Sequence, residues 1–321
     1  MENNLQLHFI VSAPRSGSTW LTTALNHHPA VFATEHRLFG QFCEVWQNND
    51  GSSSPRITFD KYAEAFGTHY FYQFMNRNYQ SFVDDFKKSF INFLLHFAHG
   101  RTGKSVIVDK ITPYPGTAEL VVNEIRTLFP EAKIIHLVRD GRDVLTSGTF
   151  DWLLKDAEGT DRHEFYFNPI PGMKLERFFD AAVIKKWVAN WCETVDVFAD
   201  SPADYQVTYE AMKEDMAGAL SGVFETLGVD HYDHLCIECE EATTFEAMSG
   251  RPPGDEDPTA KARKGIVGDW KNYFTLADGE LFDALAGEQM AAAGYESNSD
   301  WVKHLPLRLN IVREPGQNKR I

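Results

Sequence analysis

Four short runs of aliphatic and β-branched residues alternate with amphipathic helical segments, and this alternation most constrains the fold. Leu7–Ala13 (LHFIVSA), Ser105–Lys110 (SVIVDK), Lys133–Asp140 (KIIHLVRD) and Asp204–Tyr209 (DYQVTY) are short apolar runs that read as buried strands. After the first run, Leu21, Ala24, Leu25 and His28 fall at helical spacing. Residues 116–130 have the same period and stop at Pro130, and residues 175–199 predict a long amphipathic helix before the fourth run. Strands alternating with helices predict an α/β fold, a central parallel sheet flanked by helices. The chain shows no internal repeat and no sharp linker, so a single domain over 1–321 is expected. Two stretches interrupt the rhythm. Residues 40–100 hold a polar loop and then aromatic-rich helical segments, and residues 150–176 read as irregular and aromatic. Insertions of this kind commonly build the substrate side of an α/β site.

Charge and composition narrow the partners. The chain has 31 basic and 46 acidic residues, a formal net charge of −15. That argues against nucleic-acid binding, which needs a positive footprint. The N-terminus lacks the pattern of a signal peptide, and the most apolar stretch, FINFLLHFA, is too short to span a bilayer. With only Cys43, Cys192, Cys236 and Cys239, a reducing, cytoplasmic setting is expected, without a membrane partner. His231, His234, Cys236 and Cys239 crowd into nine residues, too tight for an ordinary tetrahedral metal shell. A plain helix or loop is expected there, and no metal.

The first strand runs into PRSGSTW, a small-residue loop that leads to a helix. Such a loop offers free backbone N–H groups, and the helix N-terminus adds partial positive charge. Gly17 permits close approach, Ser16, Ser18 and Thr19 add hydroxyls, and Arg15 adds a full charge. Phosphate or sulfate suits this chemistry. The nucleoside-triphosphate loop G-x-x-x-x-G-K-[ST] is not matched, because its lysine and first glycine are missing. A second element, LVRDGRDVLTS, sets Arg139 at a strand end and Ser147 eight residues on. A third, ARKGIVGDWKNYFT, sets Arg263 and Lys264 before Gly265. Taken singly, the second reads as a helix cap with surface charge pairs, and the third equally as a basic surface loop or as a flexible lid that folds over a phosphorylated ligand.

Together and in this order, PRSGSTW, VRDGRDVLTS and RKGIVGDWKNYFT resemble the signature of sulfotransferases that use 3′-phosphoadenosine-5′-phosphosulfate (PAPS). VTYEAMKED and TTFEAM add to the likeness, which runs from about residue 8 to 275. The resemblance implies the P-loop-like sulfotransferase fold. It implies that Arg15, Ser16, Gly17, Ser18 and Thr19 hold the 5′-phosphosulfate, with Arg15 where many relatives carry lysine. It further implies that Trp20, Tyr209, Thr243 and Phe245 frame the adenine. Arg139, Ser147, Arg263, Lys264 and Gly265 would bind the 3′-phosphate. The product would be 3′,5′-bisphosphoadenosine (PAP), and the scheme requires no metal.

Sulfuryl transfer needs in-line attack, neutralisation of the leaving phosphate and a base for the acceptor's proton. Arg15 and Lys110 are the candidate neutralising cations. Small-molecule cytosolic sulfotransferases draw the base from a K-T-H-L-P-like stretch. This chain reads DKITPYP, with Ile111 at the histidine position. Tyrosyl-protein and some bacterial sulfotransferases instead use a glutamate after the first helix. HHPAVFATEHRLFG supplies Glu35 there, the first candidate base, and His36, the second. Aromatics in the insertions, Phe71, Tyr72, Phe74, Phe150, Trp152, Phe165 and Phe167, suggest a partly apolar pocket. The acceptor is expected to be small or medium-sized, and neutral or cationic, such as an amine or guanidinium natural product. A kinase-type ATP enzyme and a non-catalytic PAPS- or PAP-binding module are the rival readings.

Overall fold

The computed structural model describes residues 5–35, 79–155, 157–167 and 177–309. Among the described residues, five strands, β1 Gln6–Val11, β2 Val31–Glu35, β3 Val106–Ile111, β4 Ile134–Val138 and β5 Tyr205–Thr208, form one sheet in the order β2-β3-β1-β4-β5. Every pair is parallel. Side chains alternate across the central strand. Ile10 joins one apolar cluster with Val108, Ile135 and Val207, and Phe9 and Val11 join another with Ile107 and Ile134. Burial on both faces explains why these strands read as continuous apolar runs.

The helices among the described residues are α1 Ser18–His27, α2 Tyr79–Thr102, α3 Ala118–Leu128, α4 Gly141–Lys155, α5 Asp161–Phe167, α6 Ala181–Asp200, α7 Tyr209–Glu214, α8 Met216–Thr226, α9 Asp233–Glu241, α10 Phe245–Ser249 and α11 Leu276–Ala292. Helices α1, α8 and α9 cover one face of the sheet, and α2 and α3 cover the other. A third cluster joins α4, α6 and α11 around Trp191, Phe274 and Phe282. No helix among the described residues is long and apolar enough to cross a membrane.

The topology fixes where a ligand can sit. After β1 the chain turns toward β2, and after β4 it turns the other way, toward β5. In an open α/β sheet the crevice between two such loops, at the carboxyl ends of the strands, is the binding position. The β1–α1 loop and the β4–α4 loop flank that crevice.

Three expectations are corrected. The sixth helix starts at Ala181, not near residue 175: Asp180 caps it by accepting from the Ala182 N–H at 2.8 Å. Phe178 and Phe179 are fully buried just before it. Residues 150–155 and 161–167 are helical rather than irregular. β2 is an additional strand, laid beside β3 with Glu35 opposite Lys110. His36, Cys43 and the aromatics Phe71, Tyr72 and Phe74 lie outside the described residues. Cys236 and Cys239 belong to α9 and are buried, and burial pushes the Cys239 thiol up to about 11.

Candidate active site

The β1–α1 turn is built around two left-handed residues. Arg15 has φ 68°, the only positive φ at a non-glycine among the described residues. Gly17, at φ 92°, is the N-cap of α1, and no side chain caps that helix end. A Cβ on Gly17 would lie 2.5 Å from Cδ2 of Tyr209, so only glycine fits under that ring. The uncapped end of α1 opens on a cavity of about 730 Å³, walled in part by Arg15, Gly17, Ser18, Thr19 and Trp20. Ser16 is fully buried beneath the loop, outside that wall, and its Oγ has no hydrogen-bond partner among the described residues.

The loop after β4 closes on the first loop. Arg139 Nη1 donates to the Arg15 carbonyl at 3.1 Å, and the guanidinium lies 4.2 Å from the centroid of the Tyr209 ring. Arg139 Nε is buried with no hydrogen-bond partner among the described residues. Arg15 Nε donates to Ser147 Oγ at 3.0 Å, so the arginine of the first element and the serine of the second meet. Burial depresses the proton affinity of Arg15, Asp151 opposes this, and Arg139 and Arg263 add to it.

The third element is joined to the second by a buried carboxylate. Asp143 accepts from the Gly268 N–H at 2.8 Å and the Trp270 N–H at 3.0 Å, and it pairs with Arg139 at 3.5 Å. Burial raises the Asp143 pKa, with Arg139 and the two amides opposing. Arg263 pairs with Glu256 and Asp269, and its guanidinium lies 3.9 Å from the Phe150 ring centroid. Lys264 Nζ donates to Asp269 at 2.8 Å. Gly265, at φ 63°, packs so closely that a Cβ would lie 2.2 Å from Phe245 Cδ2.

The aromatic side is equally organised. Trp20 stands edge-on to Tyr209, with centroids 5.7 Å apart, and its indole N–H donates to the Thr243 carbonyl at 2.7 Å. Thr243 is fully buried, so it meets the site through Trp20. Phe245 lines the cavity directly. All the expected donor-side positions thus gather around one cavity, with Ser16 and Thr243 behind its wall.

Lys110 lines the cavity at the end of β3, and its ammonium lies 3.6 Å from Glu35 Oε2. Burial lowers the Lys110 pKa, the Glu35 carboxylate opposes this, and nearby Lys261 adds to it. Ile111 is buried in the core. His136 points away from the cavity, stacked on Phe198 and bonded to Gln206.

Among the described residues, the cavity wall carries eight lysine and arginine side chains against three aspartates. Four of those cations, Lys213, Arg251, Lys261 and Lys110, come from elements outside the three motifs. Asp143 and Asp269 were within the quoted motifs. Their roles depend on amides and cations brought in from elsewhere in the chain, which no local pattern shows.

A parallel sheet with a cation-lined, aromatic-walled cavity at its switch point has the chemistry to hold a phosphorylated aromatic ligand. The particular family follows from sequence: the sulfotransferase domain model matches residues 6–294, so the chain belongs to the sulfotransferase family, whose enzymes use PAPS. Sulfotransferase 2A6 of Mus musculus is 28% identical over 212 residues, 59% of this chain and 68% of that protein. Sulfotransferase 1E1 of Bos taurus is 31% identical over 172 residues, 49% of this chain and 55% of that protein. The fold is similar to that of mouse sulfotransferase SULT7A1 complexed with PAP, with TM-score 0.52, 19% identity, and coverage of 93% of this chain and 88% of that one.

Proposed function

We propose that this enzyme moves a sulfuryl group from PAPS to a hydroxyl or amine of a small or medium-sized, neutral or cationic acceptor. One observation carries the reading. Arg15, Arg139 and the Arg263–Gly265 segment come from three separate parts of the chain and line one cavity beside Trp20 and Phe245. The residues suit the donor. The wall is strongly cationic in a chain of net charge −15, and the Arg139 Nε–H is a buried donor still to be satisfied.

PAPS, when bound, supplies the sulfuryl group and a phosphate leaving group. Trp20, Tyr209 and Phe245 hold the adenine, with Thr243 steadying Trp20. Arg139, Ser147, Arg263, Lys264 and the Gly265 amide hold the 3′-phosphate. Arg15, Ser18, Thr19 and the amides of the β1–α1 loop, including those of Ser16 and Gly17, face the 5′ end. Lys110 and Arg15 offer positive charge where negative charge grows, held in place before reaction. Glu35 takes the acceptor's proton on a carboxylate oxygen. The Lys110 ammonium, 3.6 Å from Glu35 Oε2, holds that carboxylate beside the part of the cavity wall that Lys110 lines.

The test is transfer from labelled PAPS to an acceptor panel, with ATP and magnesium as the parallel donor. Transfer from PAPS and none from ATP is expected; the reverse refutes the reading. Glu35→Gln keeps the shape and removes the basicity. It should lower turnover by ~10²–10⁴-fold while donor affinity hardly changes. His36→Ala should do less, and the opposite ranking makes His36 the base.

A further inference from the structure

The segment from Arg251 to Gly265 forms no helix or strand, yet it presents the cations of the third element. Its first limb is short of backbone donors, because Pro252 and Pro253 have no N–H. One side chain supplies the missing donors. Arg251 Nη2 donates to the Ala262 carbonyl at 2.6 Å, and Nη1 donates to the Arg263 carbonyl at 3.1 Å and also to the Asp255 carbonyl. Two backbone bonds complete the brace: Asp257 N–H to the Arg263 carbonyl at 3.0 Å, and Gly254 N–H to the Lys264 carbonyl at 2.9 Å. The carbonyls of Ala262, Arg263 and Lys264 are therefore all fixed from within the loop.

Arg251 is itself held to the aromatic wall. Its N–H donates to Ser249 Oγ at 3.2 Å, and that hydroxyl donates to the Phe245 carbonyl at 2.6 Å. Its guanidinium lies 5.6 Å from the Phe245 ring centroid, and the same ring packs against Gly265. One arginine thus spans the two sides of the cavity, the ring that faces adenine and the backbone that carries the cations.

We infer that Arg251 is a positioning residue for the donor's 3′-phosphate, an inference that rests on the PAPS reading above. It holds the backbone of residues 262–264 so that Arg263, Lys264 and the Gly265 amide meet that phosphate without first being ordered. The role needs a planar fork. A lysine carries the charge but cannot hold three carbonyls in the same arrangement.

The experiment is calorimetric titration of wild type, Arg251→Ala and Arg251→Lys with PAP and with 5′-AMP, which lacks the 3′-phosphate. Wild type should prefer PAP; equal affinity for the two ligands overturns the donor reading, whatever the variants do. In Arg251→Ala, PAP affinity should fall about 10–100-fold, the scale of one or two charge-assisted contacts, while AMP affinity changes by less than about threefold. Retained AMP binding also shows that the variant is folded. Arg251→Lys should recover less than half of the lost selectivity. Unchanged PAP affinity, an equal fall for both ligands, or full recovery by lysine overturns the inference. If the alanine variant does not fold, Arg251→Lys alone decides: it should lose about 3–10-fold in PAP-over-AMP preference, and an unchanged preference refutes the role.

Discussion

Replacing Gly17 with alanine adds one methyl group at a crowded point of the donor site. Two costs arise, and the structure separates them. The first is conformational: at φ 92° a side chain meets its own backbone, which costs about 1–2 kcal/mol. The second is collision, since the new Cβ would lie 2.5 Å from Tyr209 Cδ2 and 3.0 Å from Cε2. That ring is buried, faced by the Arg139 guanidinium and flanked by Trp20, so it cannot swing aside freely. Overpacking of this kind costs a further 1–3 kcal/mol or so. The total is about 2–5 kcal/mol. Gly228 is the control. Its φ is 69°, but a Cβ there meets nothing within 4 Å, so Gly228→Ala should cost only the conformational part, about 1–2 kcal/mol. Urea unfolding of the two variants measures the difference, and titration with PAP measures the displaced ring, with loss of affinity expected for Gly17→Ala alone. If both variants lose the same stability and both bind PAP like wild type, Tyr209 does not press on the loop and the reasoning fails.

Arg263→Ala should damage stability as well as donor binding. Removing the guanidinium takes one of two cations from the buried Asp269, with Lys264 still 2.8 Å away, and should cost about 1–3 kcal/mol. Adding Asp269→Asn should restore much of the stability but none of the PAP affinity; restored affinity would show that Arg263 has no part in binding. Stability should also fall on mild acidification. Burial pushes His8 and His136 down to about 4, with Lys133 adding to the effect at His8 and Gln206 opposing it at His136. Against an unfolded value near 6.5, the unfolded chain protonates first, so stability is present above that pH and is lost as the pH falls toward 4. Between pH 7.5 and 5 each histidine should cost about 2 kcal/mol, read by urea unfolding at the two pH values. His136→Asn should remove about half of the slope, and an unchanged slope would sink the assignment.

The features legible in the sequence are those with local causes. The runs at 7–13, 105–110 and 133–140 are buried on both faces, so their apolar character survives any register, and each became a strand. The loop before α1 was legible because glycine and small hydroxyl residues between strand and helix have few other uses. β2 was missed because VFATE is five residues long at a sheet edge, with only Val31 and Ala33 buried. The early end of the sixth helix was readable in principle, since Asp180 before AAVIKK is an ordinary cap. Long-range partners were not readable. Asp143 matters because residues 268 and 270 bring their amides to it, and Arg251 because the loop returns its carbonyls. Such roles depend on distances between segments, which spacing along the chain does not encode.

The reversal of charge between the molecule and its cavity has a kinetic consequence. An anionic ligand approaching a chain of net charge −15 meets repulsion first, and meets the eight cations only at the mouth of the site. Beyond a Debye length, about 10 Å at 0.1 M salt, that outer repulsion is largely screened. Added salt therefore acts in two directions: it eases encounter by masking the exterior, and it shortens residence by weakening the contacts inside. The speed of capture belongs to the whole surface, whereas the length of stay belongs to a few buried guanidinium groups.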